Sequence, residues 1–272
     1  MRGDLLPMSH SSTIHQRFAL LRQLTLRYIL ERYRGSALGV LWSLLTPLTL
    51  LAVYTFVFTT VFKARWGGAE HEGIGTYATI LFAGLILHGF FMECLVRASN
   101  LIQSHTNFVK KVIFPLEILV PAMTASALFQ LGIGFVILLG ATLFLEGNLP
   151  VTVLLLPFIL LPFVLFTLGL SWILAAMGVF FRDITQIIGL MGTILLFLST
   201  IVIHPDALPA GLQPFIYLNP LSFPVDAVRD VALWGKLPNP LLFIGYSVVS
   251  VAMCVFGYAF FAKVRKGFAD VL

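Results

Sequence analysis

Arginines are the side chains whose type and spacing best suit chemistry in this chain. Arg17, Arg22, Arg27, Arg32 and Arg34 crowd the stretch immediately before residues 36–62, which carry no charge at all. A guanidinium is a planar fork of donors that stays ionised and matches phosphate oxygens two at a time. Set about five residues apart, these arginines wind around a helix and can snorkel to the phosphates of lipid headgroups. Other candidates are few. Asp226 and Asp230 flank Arg229, a spacing that suits a salt-bridged turn better than a metal site. His88 stands in an apolar run with no neighbouring His, Asp or Cys, so it reads as a hydrogen-bonded packing residue. Glu117 opens another apolar run, where an unpaired carboxylate would cost about 2.5–3.5 kcal/mol. Arg97, Lys110 or an arginine of the first helix is expected to neutralise it.

Several chemistries are missing. There is no G-x-x-x-x-G-K-[ST] loop, so ATP hydrolysis by that route must reside on another chain. A lipid-phosphate enzyme would need clustered carboxylates for a metal or histidines for nucleophilic work, and no metal site is expected. Carriers driven by ions place ionisable groups near mid-membrane; most of the apolar runs here have none. Cys94 and Cys254 both lie in apolar segments and read as small packing residues.

The elements that must position these residues are membrane helices. Hydrophobic residues make up 59% of the 272 and charged residues only 11%, far from the composition of a soluble domain. At about 1.5 Å per residue, residues 36–62 outreach a hydrocarbon core of about 30 Å. The net charge of +5 does not point to nucleic acid, because the basic residues sit between apolar runs rather than on one water-facing surface. The runs predict an all-α polytopic protein with six spans, at residues 36–62, 77–95, 112–145, 151–181, 184–203 and 241–262. Of the 17 lysines and arginines, all but Lys63, Arg65, Arg229 and Lys236 fall on one side of such a fold, which puts that side and both termini in the cytoplasm.

Three regions fall outside simple spans. Residues 1–35 form a cytoplasmic N-terminus with an amphipathic interface helix, whose stripe runs through Ile14, Phe18, Leu21, Thr25, Tyr28 and Ile29; the plainer alternative is a basic tail that only sets orientation. This helix is expected to run into the first span with no loop between. Residues 204–240 hold seven of the 14 prolines yet stay apolar between them. They predict short helices dipping back into the outer leaflet, which is tolerable where protein rather than lipid satisfies the backbone. Residues 263–272 form a cytoplasmic tail. Gly35 and Gly39, and Gly189 and Gly192, are expected to permit close helix approach.

The residues also carry a resemblance. R-Y-R-G-S at 32–36, Leu38-Gly39, Leu41-Trp42 and Pro47 are similar to the opening of the membrane subunit of ABC-2 type polysaccharide exporters, which move O-antigen, teichoic acid or capsule. Asn100-Leu101-Ile102, F-P-L-E at 114–117, F-R-D at 181–183, L-N-P-L at 218–221 and the C-terminal F-A-D-V-L follow in order. F-P-L-E replaces the commoner F-P-R-E and so removes a basic residue beside Glu117, the charge at the inlet. The resemblance implies a homodimeric permease in residues 36–262, docked on two copies of an ABC ATPase that bind ATP and Mg, with no cofactor on this chain. It implies a bacterial inner-membrane location. It further implies a coupling helix at about residues 97–108, bearing Arg97, Asn100, Leu101, Ile102 and His105, and a polysaccharide on an undecaprenyl diphosphate lipid as substrate.

The residues are compatible with those implications. Arg27, Arg32 and Arg34, with Tyr33 among them, would meet the lipid diphosphate. Tyr54, Phe58 and Phe62 recur every fourth residue and share a helical face. Their rings could offer flat apolar surfaces to a sliding sugar polymer, or simply pack against helices or lipid. Two alternatives stay open at this level, an ABC-2 exporter of a smaller lipid or drug-like molecule and a membrane-embedded lipid-phosphate transferase.

Overall fold

The computed structural model describes residues 10–35, 38–57, 76–106, 114–181, 183–205, 208–209, 211 and 213–272. Every regular element among them is helical, as the composition predicts. Four stretches are long and apolar enough to cross a bilayer, Tyr77–Leu101, Leu116–Glu146, Val151–Phe180 and Pro240–Gly267. They contain the helices α3 (Thr76–Leu101), α4 (Leu119–Glu146), α5 (Leu156–Phe180) and α9 (Pro240–Val264). Ahead of α3 lie α1 (His10–Tyr33) and α2 (Trp42–Thr55). Between α5 and α9 lie α6 (Ile184–Phe197), α7 (Gln213–Ile216) and α8 (Ser222–Ala232), and α10 (Phe268–Val271) closes the chain.

Local chemistry sets several of these boundaries. Gly147 (φ 72°) ends α4 in the left-handed conformation that suits glycine. Asn239 caps α9 by accepting from the amides of Leu241 and Leu242, with Pro240 at the first helical position. The expected uninterrupted passage from interface helix to first span is not observed. The chain turns between α1 and α2 through Gly35 (φ 83°) and Gly39 (φ 52°), and a Cβ on either would meet nothing within 4 Å. Within one chain these glycines supply turn geometry.

The span expected at 184–203 is shorter than expected, and the one expected at 36–62 is described only as far as residue 57. The helices found there, α2 and α6, have 14 residues each, about 21 Å at 1.5 Å per residue against a core of about 30 Å. Residues 58–75 lie outside the described residues. Helix α6 ends because the chain turns after Phe197, and its late carbonyls then find side-chain partners. The Asn219 amide donates to the carbonyls of Leu195 (2.7 Å) and Leu198 (3.0 Å). Arg229, on α8 and fully enclosed, donates to the carbonyls of Thr200 (2.6 Å), Ile201 (3.1 Å) and Ile80 on α3 (3.0 Å). Irregular backbone in an apolar setting requires this kind of internal satisfaction. Asn219 belongs to the L-N-P-L segment, which thereby acquires a structural role. Asp226 faces Arg229 at 3.5 Å, so the Asp226/Arg229 pair behaves as the structural turn that the spacing predicts.

Helix α3 is the hub, packing on α2, α4, α5, α6 and α8 with Ala78, Ile80, Ala83, Leu87, Phe91, Cys94 and Ala98 fully enclosed. Helices α5 and α9 form the closest pair. A Cβ on Gly257 would strike the Gly169 backbone, so the two main chains touch there. Of the glycines expected at helix contacts, Gly192 does meet a neighbour, the Met92 side chain, whereas Gly189 has open space.

Candidate functional site

A cleft of about 410 Å³ opens between α2, α3 and α4. Its lining along α3 runs from Phe82 to Glu93, about 16 Å at 1.5 Å per residue. The walls are mainly apolar, with Pro47 and Leu50 on α2, Leu85, Ile86 and Phe90 on α3, and Leu131 on α4. Polar groups stand at intervals. Arg32 and Glu93 form one end, Gln130 lies on the α4 wall, and Tyr54 and His88 lie further along. A charged mouth on an apolar trough suits an amphiphile better than a soluble ion.

The mouth is built by docking α1 onto α3 and α4. Leu24, Tyr28 and Tyr33 are buried on it; of the expected stripe Tyr28 is buried, Leu21 and Thr25 are half-buried and Phe18 is 68% exposed. Leu26 and Leu30 are exposed, whereas Leu20 packs partly against the core. Tyr33 donates to Gln130 Oε1 (2.8 Å), and the Gln130 amide donates to the Ser43 carbonyl at the start of α2 (2.9 Å). One hydrogen-bond chain thus ties three helices, and the Tyr33 hydroxyl, expected to meet substrate, is committed to it. Tyr28 and His105 bond through Oη and Nε2 at 3.2 Å. Burial pushes the Tyr28 phenol up to about 12, so it remains a neutral hydroxyl at physiological pH. The Arg97 guanidinium lies 5.5 Å from the centre of the Tyr28 ring.

Arg32 is the arginine that reaches the cleft. Its Nη1 donates to Glu93 Oε1 at 2.7 Å, and the same oxygen accepts from Arg97 Nη1 at 3.0 Å. Arg97 Nη1 also donates to Ser126 on α4 at 3.0 Å. Arg27 is exposed and bonded to Glu31 one turn on, at 2.6 Å. Arg34 is exposed in the turn after α1. The three arginines expected to act together are therefore divided, with Arg32 alone among the cleft-lining residues. Tyr54 shares that cleft, while Phe58 and Phe62 lie outside the described residues.

The segment expected to be a separate coupling helix has a different form. Arg97, Asn100 and Leu101 belong to the last turns of α3, followed by a 3-10 turn at Gln103–His105. Leu101 and Ile102 are enclosed by the chain itself, because α3 ends against α5 and α6. Asn100 donates to Thr185 at 3.0 Å, and Gln103 to the Gly178 carbonyl at 2.5 Å. Residues 107–113, and with them Lys110, lie outside the described residues. Among the described residues Glu117 is paired with Arg265, a partner outside those expected, since α9 returns to the end of the bundle where α4 begins. His88 Nε2 lies 3.0 Å from the Gly192 carbonyl, joining α3 to α6 as a bonded packing residue.

Glu93, Gln130 and Asn219 are structurally decisive residues to which the sequence alone assigned no role. Glu93 had a signal, as the acid four residues before Arg97, a spacing that pairs on a helix. Gln130 had one as well, being a primary amide inside an otherwise apolar run.

Residues 19–233 match the family described as ABC-2 type transporter. O-antigen export system permease proteins RfbA from Myxococcus xanthus and Klebsiella pneumoniae are each 28% identical over 94% of this chain, covering 96% and 95% of their own lengths. A daunorubicin resistance ABC transporter permease protein, DrrB1 of Streptomyces coeruleorubidus, is 25% identical over 69% of this chain and 66% of its own. Given a match that takes in both the cleft and the Arg229 anchor, this multi-pass membrane protein belongs to the ABC-2 type transporter family as a permease subunit, the transport component rather than the ATPase.

Proposed function

We propose that the chain is the permease half of an ATP-driven exporter of a polysaccharide carried on undecaprenyl diphosphate. In this reading two copies of the chain form the conduit in the bacterial inner membrane. Two copies of an ABC ATPase supply ATP and Mg from the cytoplasm, and both termini lie on that side. Six crossings follow if α2 and α6 each open a span, with residues 204–240 dipping back as a re-entrant outer region. The amphipathic α1 lies at the inner surface. Arg27 and Arg34, both exposed, are the first groups to meet the diphosphate, and Arg32 receives it at the mouth of the cleft.

The observation that carries this reading is that Arg32 and Tyr54 line one cleft. A phosphate-binding fork at the mouth leads to an apolar, aromatic-lined interior. The likeness to RfbA permeases over nearly the whole chain supports the same substrate class. ATP-driven closure of the ATPases would reach the cleft through the end of α3, where Asn100 and Gln103 bond α6 and α5. The experiment is export of lipid-linked polymer by the assembled transporter. Arg32→Gln should lower the rate at least tenfold and Tyr54→Leu several-fold, both with unaltered assembly. Wild-type export by Arg32→Gln would refute the assignment. The similarity to a daunorubicin resistance permease supports a second reading, export of a smaller amphiphile. ATPase stimulation of the complex by such a compound, and not by the lipid-linked glycan, would select it.

A further inference from the structure

The mouth of the cleft contains one acid that the phosphate reading leaves unused. We propose that Glu93 is a built-in counter-ion that occupies Arg32 until the diphosphate of a lipid headgroup displaces it, so that Glu93 sets which headgroups the cleft admits. The inference rests on the assignment of Arg32 as a phosphate-binding residue.

Four observations lead there. Glu93 lies two turns before the end of α3, where it gives Arg32 a carboxylate counter-ion when no ligand is present. Secondly, Glu93 Oε1 is shared between Arg32 (2.7 Å) and Arg97 (3.0 Å). When an anion takes Arg32, Glu93 keeps the arginine of its own helix, and no buried charge is stranded. Thirdly, the Arg32 side chain is 41% exposed and that of Glu93 18%, so the cation is the member an incoming group can reach. Finally, two guanidinium groups against one carboxylate leave a surplus of one positive charge at the mouth. An incoming anion is attracted, but it must compete with a carboxylate already in place. A zwitterionic headgroup gains little from that exchange, and a single phosphodiester competes on one charge. A diphosphate brings two phosphoryl groups to the same fork and wins. The carboxylate thus acts as a threshold against abundant phospholipids.

The test uses the full chain in phosphatidylcholine nanodiscs, titrated with inorganic diphosphate and, separately, with geranylgeranyl diphosphate. Glu93→Gln should bind both about fivefold more tightly, the scale of a half-exposed ion pair, and should let phosphatidylglycerol compete where wild type does not. The gain should vanish in Glu93→Gln/Arg32→Gln, because it acts through Arg32. Asp230→Asn, an equal charge change on α8, should leave binding unaltered. No tightening in Glu93→Gln, or a gain that survives loss of Arg32, overturns the proposal. Tightening for inorganic diphosphate but not for the prenylated form overturns the headgroup as its source. If Glu93→Gln fails to fold, Glu93→Asp, which draws the carboxylate back by one methylene, should tighten binding about twofold, and unaltered binding there counts against the proposal equally. Diphosphate binding by Arg32→Gln at wild-type strength would instead refute the phosphate assignment itself.

Discussion

Arg229→Met is the most demanding test of how the far end of the bundle is held. Arg229 is fully enclosed and bonds the carbonyls of Thr200, Ile201 and Ile80, with Asp226 at 3.5 Å. Methionine keeps most of the length and apolar bulk but none of the donors. Ile80 lies within α3 and retains its helical position, so the loss falls mainly on Thr200 and Ile201, which follow the last residue of α6. Hydrogen bonds to a charged group contribute about 1.5–3 kcal/mol each. Two of them, with an Asp226 left without its counter-ion, suggest a loss of about 3–5 kcal/mol, typical of breaking a buried charged network. At about 2–4 °C per kcal/mol, the unfolding midpoint in nanodiscs should fall by about 6–20 °C. Tryptophan fluorescence against temperature reads it directly. Asp226→Asn added to Arg229→Met should recover about 1–2 kcal/mol by removing the stranded carboxylate. A midpoint within about 2 °C of wild type, against that conversion, would refute the claim that these carbonyls depend on Arg229.

Two further outcomes test packing and charge. Gly257→Ala should force α5 and α9 apart and cost about 1–3 kcal/mol or more, whereas Gly189→Ala, facing open space, should shift the midpoint negligibly; equal effects would refute the backbone contact. Burial, with the Asp226 charge nearby, raises the Asp230 carboxyl to about 6 from the usual 3.8; the folded state then holds its proton more tightly than the unfolded state does, and stability falls as pH rises through that window. Asp230→Asn should therefore match wild type near the lower end of the window, exceed it increasingly up to its top and keep a constant advantage above it, as read by midpoints across pH; a pH-independent difference would contradict the shift.

Length and polarity of the apolar runs were enough to establish the helical class, the membrane setting and the positions of α3, α4, α5 and α9, because a long uncharged run has few other stable folds. The ordered motifs were enough to indicate the family. The arginines were visible as a cluster, but not their division, since whether Arg27, Arg32 or Arg34 reaches the cleft depends on how α1 rotates onto α4. That rotation is set by Leu24, Tyr28 and Tyr33 finding partners far away in sequence, as the Tyr33–Gln130–Ser43 chain illustrates. Glu117 shows the same limit, because local spacing favours nearby cations while the return of α9 delivers Arg265.

Periodicity and composition are properties of neighbouring residues, and they determined what solvent this chain requires and which stretches must be helical. Only the tertiary structure decided which charges meet, where α6 stops and what satisfies its freed carbonyls. Those outcomes depend on contacts between residues far apart in the chain, and their energies exist only once the helices are packed.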